Sequence, residues 1–374
     1  MGLAEGLEFF RVHETSLVSP PLPFGRFIPG GFLRHMAPER HAEIKDAFRK
    51  ALTREVFGQL DAFIRSHIRA ELKRMAHASN ASRTAGVRPR RYVQRMVFGL
   101  WARLFFNITP YSSEFNSLRS LFRVIDIRNP SDASDSAIKS ALDEITRLLN
   151  QQLAKTGNSG NDVPGSFLES IDKYCPGSLN NPTVVGNLIY IMHTTWSDIS
   201  GLLVWLMRLL TENPQYAEAL RSVTDIPGAM ERDKPPLASR VVMETLRLEQ
   251  SEYLYRVAAR DIEYKGFRIP RGWLVRLCVH ESHRDPGIFE DPHAFQPDRF
   301  LNRTFSRSQY SPFGAGLSHN CLGEGLSLKA GQIFVEELAM YYQWTTVADG
   351  PFEFSNWRHW RPSSRWRVTM AAIS

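Results

Sequence analysis

The sequence predicts a mainly α protein with a minor β region, on two observations. Apolar residues recur at spacings of three and four through most of the chain, the mark of helices with one buried face. Short β-prone runs broken by turn residues are confined to Tyr253–Val279 and to the Trp- and Arg-rich tail from Trp357 to Thr369. Of the 374 residues, 43% are apolar and 23% charged, which supplies a sizeable core and excludes a disordered or collagen-like chain. The formal charge of +7 favours acidic partners without naming one.

Residues 1–37 contain SPPLPFGRFIPGG, whose prolines and glycines predict an irregular N-terminal segment, and residues 38–374 are read as a single domain. From Glu39 to about Met75, apolar Phe48, Leu52, Val56, Leu60, Ile64, Ile68 and Leu72 mark one or two helices. The basic stretch HASNASRTAGVRPRR separates these from helical segments around 92–125, and TGNSGNDVPGS near residue 160 reads as a further loop. Asn181-Pro182 opens a long apolar helix closed by Asn213-Pro214, and another helix follows near 234–249. Strands are expected between Tyr253 and Val279, broken at Lys265-Gly266 and Pro270-Arg271-Gly272. A helix returns over 322–342.

The longest apolar stretch, Gly201 to Leu210, is interrupted by Arg208 and is too short for a membrane span. The opening MGLAEGLEFFRVHE has no basic segment leading an apolar run, so a secretory signal is not expected. Three scattered cysteines, Cys175, Cys278 and Cys321, make neither a disulfide framework nor a zinc pair, and they suit a reducing, cytoplasmic compartment.

Chemistry concentrates in the segment Ser311-Pro-Phe-Gly-Ala-Gly-Leu-Ser-His-Asn-Cys321-Leu-Gly-Glu-Gly. Here a glycine-rich loop delivers one cysteine to the start of an apolar helix. Helix N-termini and backbone amides favour a thiolate, and glycines let a loop lie close against a flat ligand. Cys321 is therefore a candidate metal ligand, although a single cysteine taken alone is more often a buried apolar side chain.

In Phe313, Gly316, His319, Cys321 and Gly323 this segment resembles the haem-binding signature of the cytochrome P450 family. Glu244-Thr-Leu-Arg247 resembles the family's Glu-x-x-Arg, and Pro297-Asp-Arg299-Phe300 lies in the expected order before the cysteine. Glu244 and Arg247 share one helical face, where Arg299 could join them in a charge-assisted network. Arg256, five residues before Asp261, is similar to the arginine that binds a haem propionate, and His283-Arg284-Asp285-Pro286 is similar to the family's Arg-Asp-Pro turn. His41 and Lys45, in Pro38-Glu-Arg-His-Ala-Glu-Ile-Lys45, resemble a C-helix pattern and become propionate candidates, with a solvated helix surface as the alternative.

The resemblance implies haem b, iron protoporphyrin IX, with Cys321 as axial thiolate. It also implies a P450-like fold lacking part of the N-terminal helix and sheet region. Two further departures bear on chemistry. Phe313 lies eight positions before Cys321 where the family has seven, in a loop that tunes the iron through hydrogen bonds to sulfur. The oxygen-activating motif falls on Thr194-Thr195-Trp196-Ser197-Asp198, with threonines for glycines and with acid and alcohol exchanged. Neighbouring helix positions differ by about 100°, so the exchange puts Asp198 in the alcohol's place. Thr194 or Thr195 could hold a water, and Ser197 and Asp198 could instead pair with polar core groups. His193 reads as a packed helix histidine.

The resemblance implies oxidation of a small, largely apolar secondary metabolite by hydroxylation, oxidative coupling or cyclisation. Dioxygen, and electrons from a ferredoxin-like carrier with its reductase, would drive it. The altered motifs keep an electron-independent isomerase, lyase or cyclase as the alternative, and a non-catalytic haem-binding module as a third reading. Nucleic-acid binding is disfavoured because the basic residues are dispersed and no recognition motif is present; the Arg358, Arg361, Arg365 and Arg367 cluster reads as a packed strand region.

Overall fold

The computed structural model describes residues 1–20, 27–28, 30–33, 36, 38–51, 54–82, 85–125, 134–156, 165–222, 234–249, 254–314, 320–354 and 360–373. The chain opens with a helix, α1 (Leu3–Val12), and a short strand, β1 (Leu17–Val18). Helices α2 (Pro38–Ala51), α3 (Arg54–Ala81), α4 (Pro89–Phe106), α5 (Ser113–Val124), α6 (Asp135–Thr156), α7 (Phe167–Tyr174), α8 (Pro182–Glu212), α9 (Pro214–Ser222) and α10 (Leu237–Glu249) follow. Then come β2 (Leu254–Ala258), β3 (Ile262–Tyr264), β4 (Phe267–Ile269), β5 (Leu274–Leu277) and the short α11 (Val279–Ser282). The chain closes with α12 (Glu324–Tyr341), β6 (Tyr342–Ala348), β7 (Glu353–Phe354), β8 (Trp360–Arg361) and β9 (Arg367–Ala372). Among the described residues, no helix is long and apolar enough to cross a membrane.

The chain divides into two compact units, one of Met1–Ser19, Arg65–Val93 and Asp198–Ser374, the other of Pro20–Ile64 and Gln94–Ser197. In the first unit, β1, β2 and β5 form an antiparallel sheet in which Val18 pairs with Val257 and Val257 with Leu274. Helix α1 lies on this sheet, burying Leu3, Phe9 and Phe10 among Leu254, Ala258, Val275 and Leu277. A Cβ on Gly6 would come within 2.0 Å of Leu277 Cδ1, so the helix needs glycine there to approach β5.

This helix and strand correct the expectation of an irregular segment over 1–37. The breaker cluster starts only at Ser19-Pro20, and the apolar face before it has its partner sheet far along the chain. The hairpin β3–β4 turns at Lys265-Gly266, both in the left-handed region that a two-residue turn requires. Strand β6 pairs antiparallel with β9, with a bulge between Thr346 and Ala348. Trp366 is buried in this region and its Nε1 donates to Thr346 Oγ1 at 3.0 Å, while Arg367 donates to the carbonyls of Ala85 and Gly86.

The second unit is helical. Phe98 on α4 meets Phe115 and Phe122 on α5 and Trp196 on α8 edge-on, with centroids 5.1–5.5 Å apart. Trp196 Nε1 donates to the Gln94 carbonyl at 2.8 Å, satisfying its polar atom inside this aromatic core. Ser166 caps α7 by accepting from Glu169 N–H, while Glu169 Oε2 accepts from Gly165 N–H, an arrangement close to a capping box. The basic stretch expected to separate the helices after Met75 is itself partly helical, since α3 continues to Ala81 and α4 begins at Pro89. Most of the loop near residue 160, and Trp357 and Arg358 of the tail, lie outside the described residues.

Candidate functional site

Cys321 is exposed, ahead of Gly323, the N-cap residue of α12. Its backbone N–H donates to the Phe313 carbonyl at 2.9 Å, which closes the loop between them. Gly314 has φ +100°, a conformation that favours glycine. The Gly323 carbonyl accepts from both the backbone N–H and the hydroxyl of Ser327 at 2.8 Å, starting the helix firmly. The positive end of the α12 dipole thus faces the cysteine segment and favours negative charge on the sulfur. Gly316 and His319 lie outside the described residues.

The first unit also brings Glu244, Arg247 and Arg299 together. Glu244 and Arg247, one turn apart on α10, are fully buried and bonded by two parallel contacts of 2.8 Å. Arg299 Nε and the Gln296 N–H both donate to Glu244 Oε1, at 3.0 and 2.9 Å. Arg247 spends its remaining N–H groups on the carbonyls of His283, Pro292 and Ala294. All five guanidinium donors therefore have acceptors, which is the condition for a buried charge to be tolerable. The Phe289 ring lies beneath both guanidinium groups, with Arg247 5.0 Å and Arg299 5.9 Å from its centroid. Arg256, on β2, sits over the Phe10 ring of α1 at 5.6 Å and donates to the Tyr255 carbonyl at 2.8 Å.

Two residues to which the motifs assign no role complete this part. His283 is fully buried and accepts the Ser311 N–H on Nε2 at 2.9 Å. Tyr310 stacks on it at 5.2 Å and donates its hydroxyl to the Met243 carbonyl on α10. The signals present were a histidine just before Arg284-Asp285-Pro286 and a tyrosine just before Ser311-Pro312; no spacing rule joins them. Burial, reinforced by the charge of Arg247, pushes the His283 imidazole down to about 3, so the ring is neutral.

The second unit holds His41, Lys45, Thr194, Thr195 and Ser197. His41 and Lys45 lie one turn apart on α2, and His41 is buried. Burial, followed by the Lys45 charge, holds the imidazole below its usual range. On α8 both threonine hydroxyls turn back onto their own helix: Thr194 Oγ1 donates to the Tyr190 and Ile191 carbonyls, and Thr195 Oγ1 to those of Ile191 and Met192. Asp198, assigned to the first unit, is exposed on the continuation of the same helix. His193 is buried, stacked on Phe122 and edge-on to Trp196.

The family model described as "Cytochrome P450" matches residues 132–358, more than half of the chain. The chain belongs to the cytochrome P450 family. Abscisic acid 8'-hydroxylase 1 of Arabidopsis thaliana is 30% identical over 217 residues, 54% of this chain and 44% of the plant protein. Cucurbitadienol 11-hydroxylase of Siraitia grosvenorii is 29% identical over 221 residues, 55% of this chain and 46% of that protein. This P450 chain thus aligns with less than half the length of either relative. Retinoic acid-bound cyanobacterial CYP120A1 superposes with a TM-score of 0.77 at 18% identity, covering 99% of this chain and 88% of the other, which shows the shared fold.

P450 proteins are haem-thiolate proteins carrying protoporphyrin IX. The donor chemistry here fits that group. Cys321 offers an exposed, soft sulfur donor at the head of a helix, the kind of ligand that suits a haem iron.

Proposed function

We propose that this chain is a haem-thiolate monooxygenase that oxidises a small, largely apolar molecule by hydroxylation or oxidative coupling. The observation that carries the reading is the exposed Cys321 thiol at the head of α12, its N–H locked to the Phe313 carbonyl. The hydroxylase names of the two plant relatives support the reaction class. Bound haem would supply thiolate-supported activation of dioxygen.

The chain's own residues supply the rest. Cys321 would hold the iron, and Arg256 of the same compact unit would offer positive charge to a propionate. Asp198, exposed on α8, would relay the protons that oxygen activation consumes, with Ser197 beside it. The hydroxyl protons of Thr194 and Thr195 are committed to helix carbonyls, so the relay is assigned to Asp198 rather than to the threonines. Electrons would come from an acidic, ferredoxin-like carrier, for which the net charge of +7 is complementary. Three free cysteines suit a reducing, cytoplasmic setting.

Reconstitution with a ferredoxin, its reductase, NADPH and a panel of apolar substrates tests this reading. Product that depends on both NADPH and O2 is expected. Turnover that proceeds without oxygen and reductant would overturn it and support a haem-thiolate isomerase, lyase or cyclase. The back-bonded threonines are the observation that favours that second reading, since they do not donate protons outward.

A further inference from the structure

We propose that His283 is a positioning residue for the cysteine loop, a neutral latch between the buried Glu244–Arg247 network and the segment that leads to Cys321. The proposal's functional half rests on Cys321 being the iron ligand. Every contact of the latch lies within one compact unit.

Two of the bonds at His283 make the latch. Its backbone carbonyl accepts from Arg247 Nη1 at 2.6 Å, which ties it to the network. Its ring Nε2 accepts the Ser311 N–H at 2.9 Å. A ring nitrogen accepts only when it carries no proton, so the bond requires the neutral imidazole with its hydrogen on Nδ1. The fully buried site, with Arg247, His280 and Arg284 nearby, keeps the ring in that state.

The far side of the bond leads to the cysteine. Ser311 is itself buried, and its hydroxyl is occupied with the Arg307 carbonyl. Its N–H would be left without an acceptor if the imidazole were removed. Two residues on, the Phe313 carbonyl takes the Cys321 N–H. Backbone order thus runs from Arg247 through His283, Ser311 and Phe313 to the cysteine. Tyr310, stacked on the His283 ring and bonded to the Met243 carbonyl, fixes the same segment to α10. Stacking alone would be served by any flat ring. The acceptor at Nε2 needs histidine, or a side chain whose oxygen reaches the same point.

Three substitutions separate these roles. His283→Phe keeps a ring and removes the acceptor; His283→Gln carries an amide oxygen to about the Nε2 position; His283→Asn stops short of it. Two readouts are taken on purified full-length protein: amide hydrogen exchange across residues 306–314, and the absorption spectrum of the dithionite-reduced, carbon monoxide-bound haem form. His283→Phe is expected to speed exchange at Ser311 by roughly tenfold, as befits loss of one buried hydrogen bond, and to convert part of the thiolate-type Soret band to an imidazole- or thiol-type band. His283→Gln should restore both.

Unchanged exchange in His283→Phe would overturn the latch. So would equal loss of the thiolate band in the Phe and Gln variants, which would make the role one of packing. If His283→Phe fails to fold, the Gln and Asn pair decides: Gln near wild type with Asn impaired supports the proposal, and equal behaviour of the two overturns it. Wild type without any thiolate band would refute the reading of Cys321, while the exchange comparison would still decide whether His283 holds the loop.

Discussion

The Glu244–Arg247 network and the Thr194–Asp198 segment are both polar groups on helices, yet they are built in opposite ways. In the first, Glu244 and Arg247 pair on α10 and their remaining contacts reach across to other elements, so that α10, the turn at His283 and the segments at Pro292, Ala294 and Arg299 hold each other. In the second, the threonine hydroxyls are satisfied by carbonyls of their own helix. Rigidity comes from the contacts that cross between elements. A network closed between elements fixes geometry and is costly to damage, whereas hydroxyls closed on their own helix can be replaced with little loss.

The largest break in this comparison is Glu244→Ala. It strips the carboxylate from two arginines and one backbone amide and leaves Arg247 buried without its counter-charge, at a cost of about 3–5 kcal/mol. Urea unfolding should show that loss, or the variant should fail to accumulate as folded protein. Arg247→Lys should be nearly as damaging, because an ammonium cannot serve five acceptors in the planes of a guanidinium.

Next in size is an effect on activity. Asp198→Asn removes the exposed acid of α8 and should lower turnover by about tenfold or more under the oxidative reading, with little change in unfolding midpoint. An unchanged rate would take Asp198 out of proton delivery.

A pH experiment sharpens the contrast on α10 itself. Burial raises the Glu249 carboxyl to about 7 against the opposing pull of Arg284, whereas in the unfolded chain it lies near 4.5. The folded state therefore holds more protons between those values, and stability falls as pH rises through that window. Glu249→Gln should be more stable than wild type by about 1–3 kcal/mol at pH 8, with the difference vanishing below pH 4.5. The buried His283 runs the other way: its pKa is depressed from 6.5 to about 3, so the stability it allows at neutral pH is lost as pH falls between those values.

The smallest expected effect belongs to the paired change Thr194→Val with Thr195→Val. Each replacement preserves shape and gives up only a bond within the helix, so stability should move by less than about 1 kcal/mol. A loss as large as that of Glu244→Ala would show that these hydroxyls serve the fold.

The same contrast explains what was legible in the sequence. The long helix α8 could be read because proline marks both ends and apolar residues run between them. The pairing of Glu244 with Arg247 could be read because helical spacing brings the third residue onward to the same face. Arg247's other partners could not, since they are carbonyls of His283, Pro292 and Ala294, and backbone groups leave no mark on a motif. Helix α1 was hidden for a different reason. Leu3, Phe9 and Phe10 make a narrow apolar face whose worth depends on β2 and β5, and pairing between distant segments is a tertiary fact. In α7 the signal was present and unused, as Ser166 and Glu169 have the spacing of a capping box. The back-bonding of Thr194 and Thr195 is a rotamer choice that sequence does not dictate.

The central claim, that Cys321 delivers a thiolate to haem iron, is tested most directly by the absorption spectrum of the dithionite-reduced protein with and without carbon monoxide, for wild type beside Cys321→Ala. A thiolate-type Soret band in wild type that is absent from the variant is the predicted result. A haem spectrum identical in the two proteins, or one of imidazole type in wild type, would contradict it.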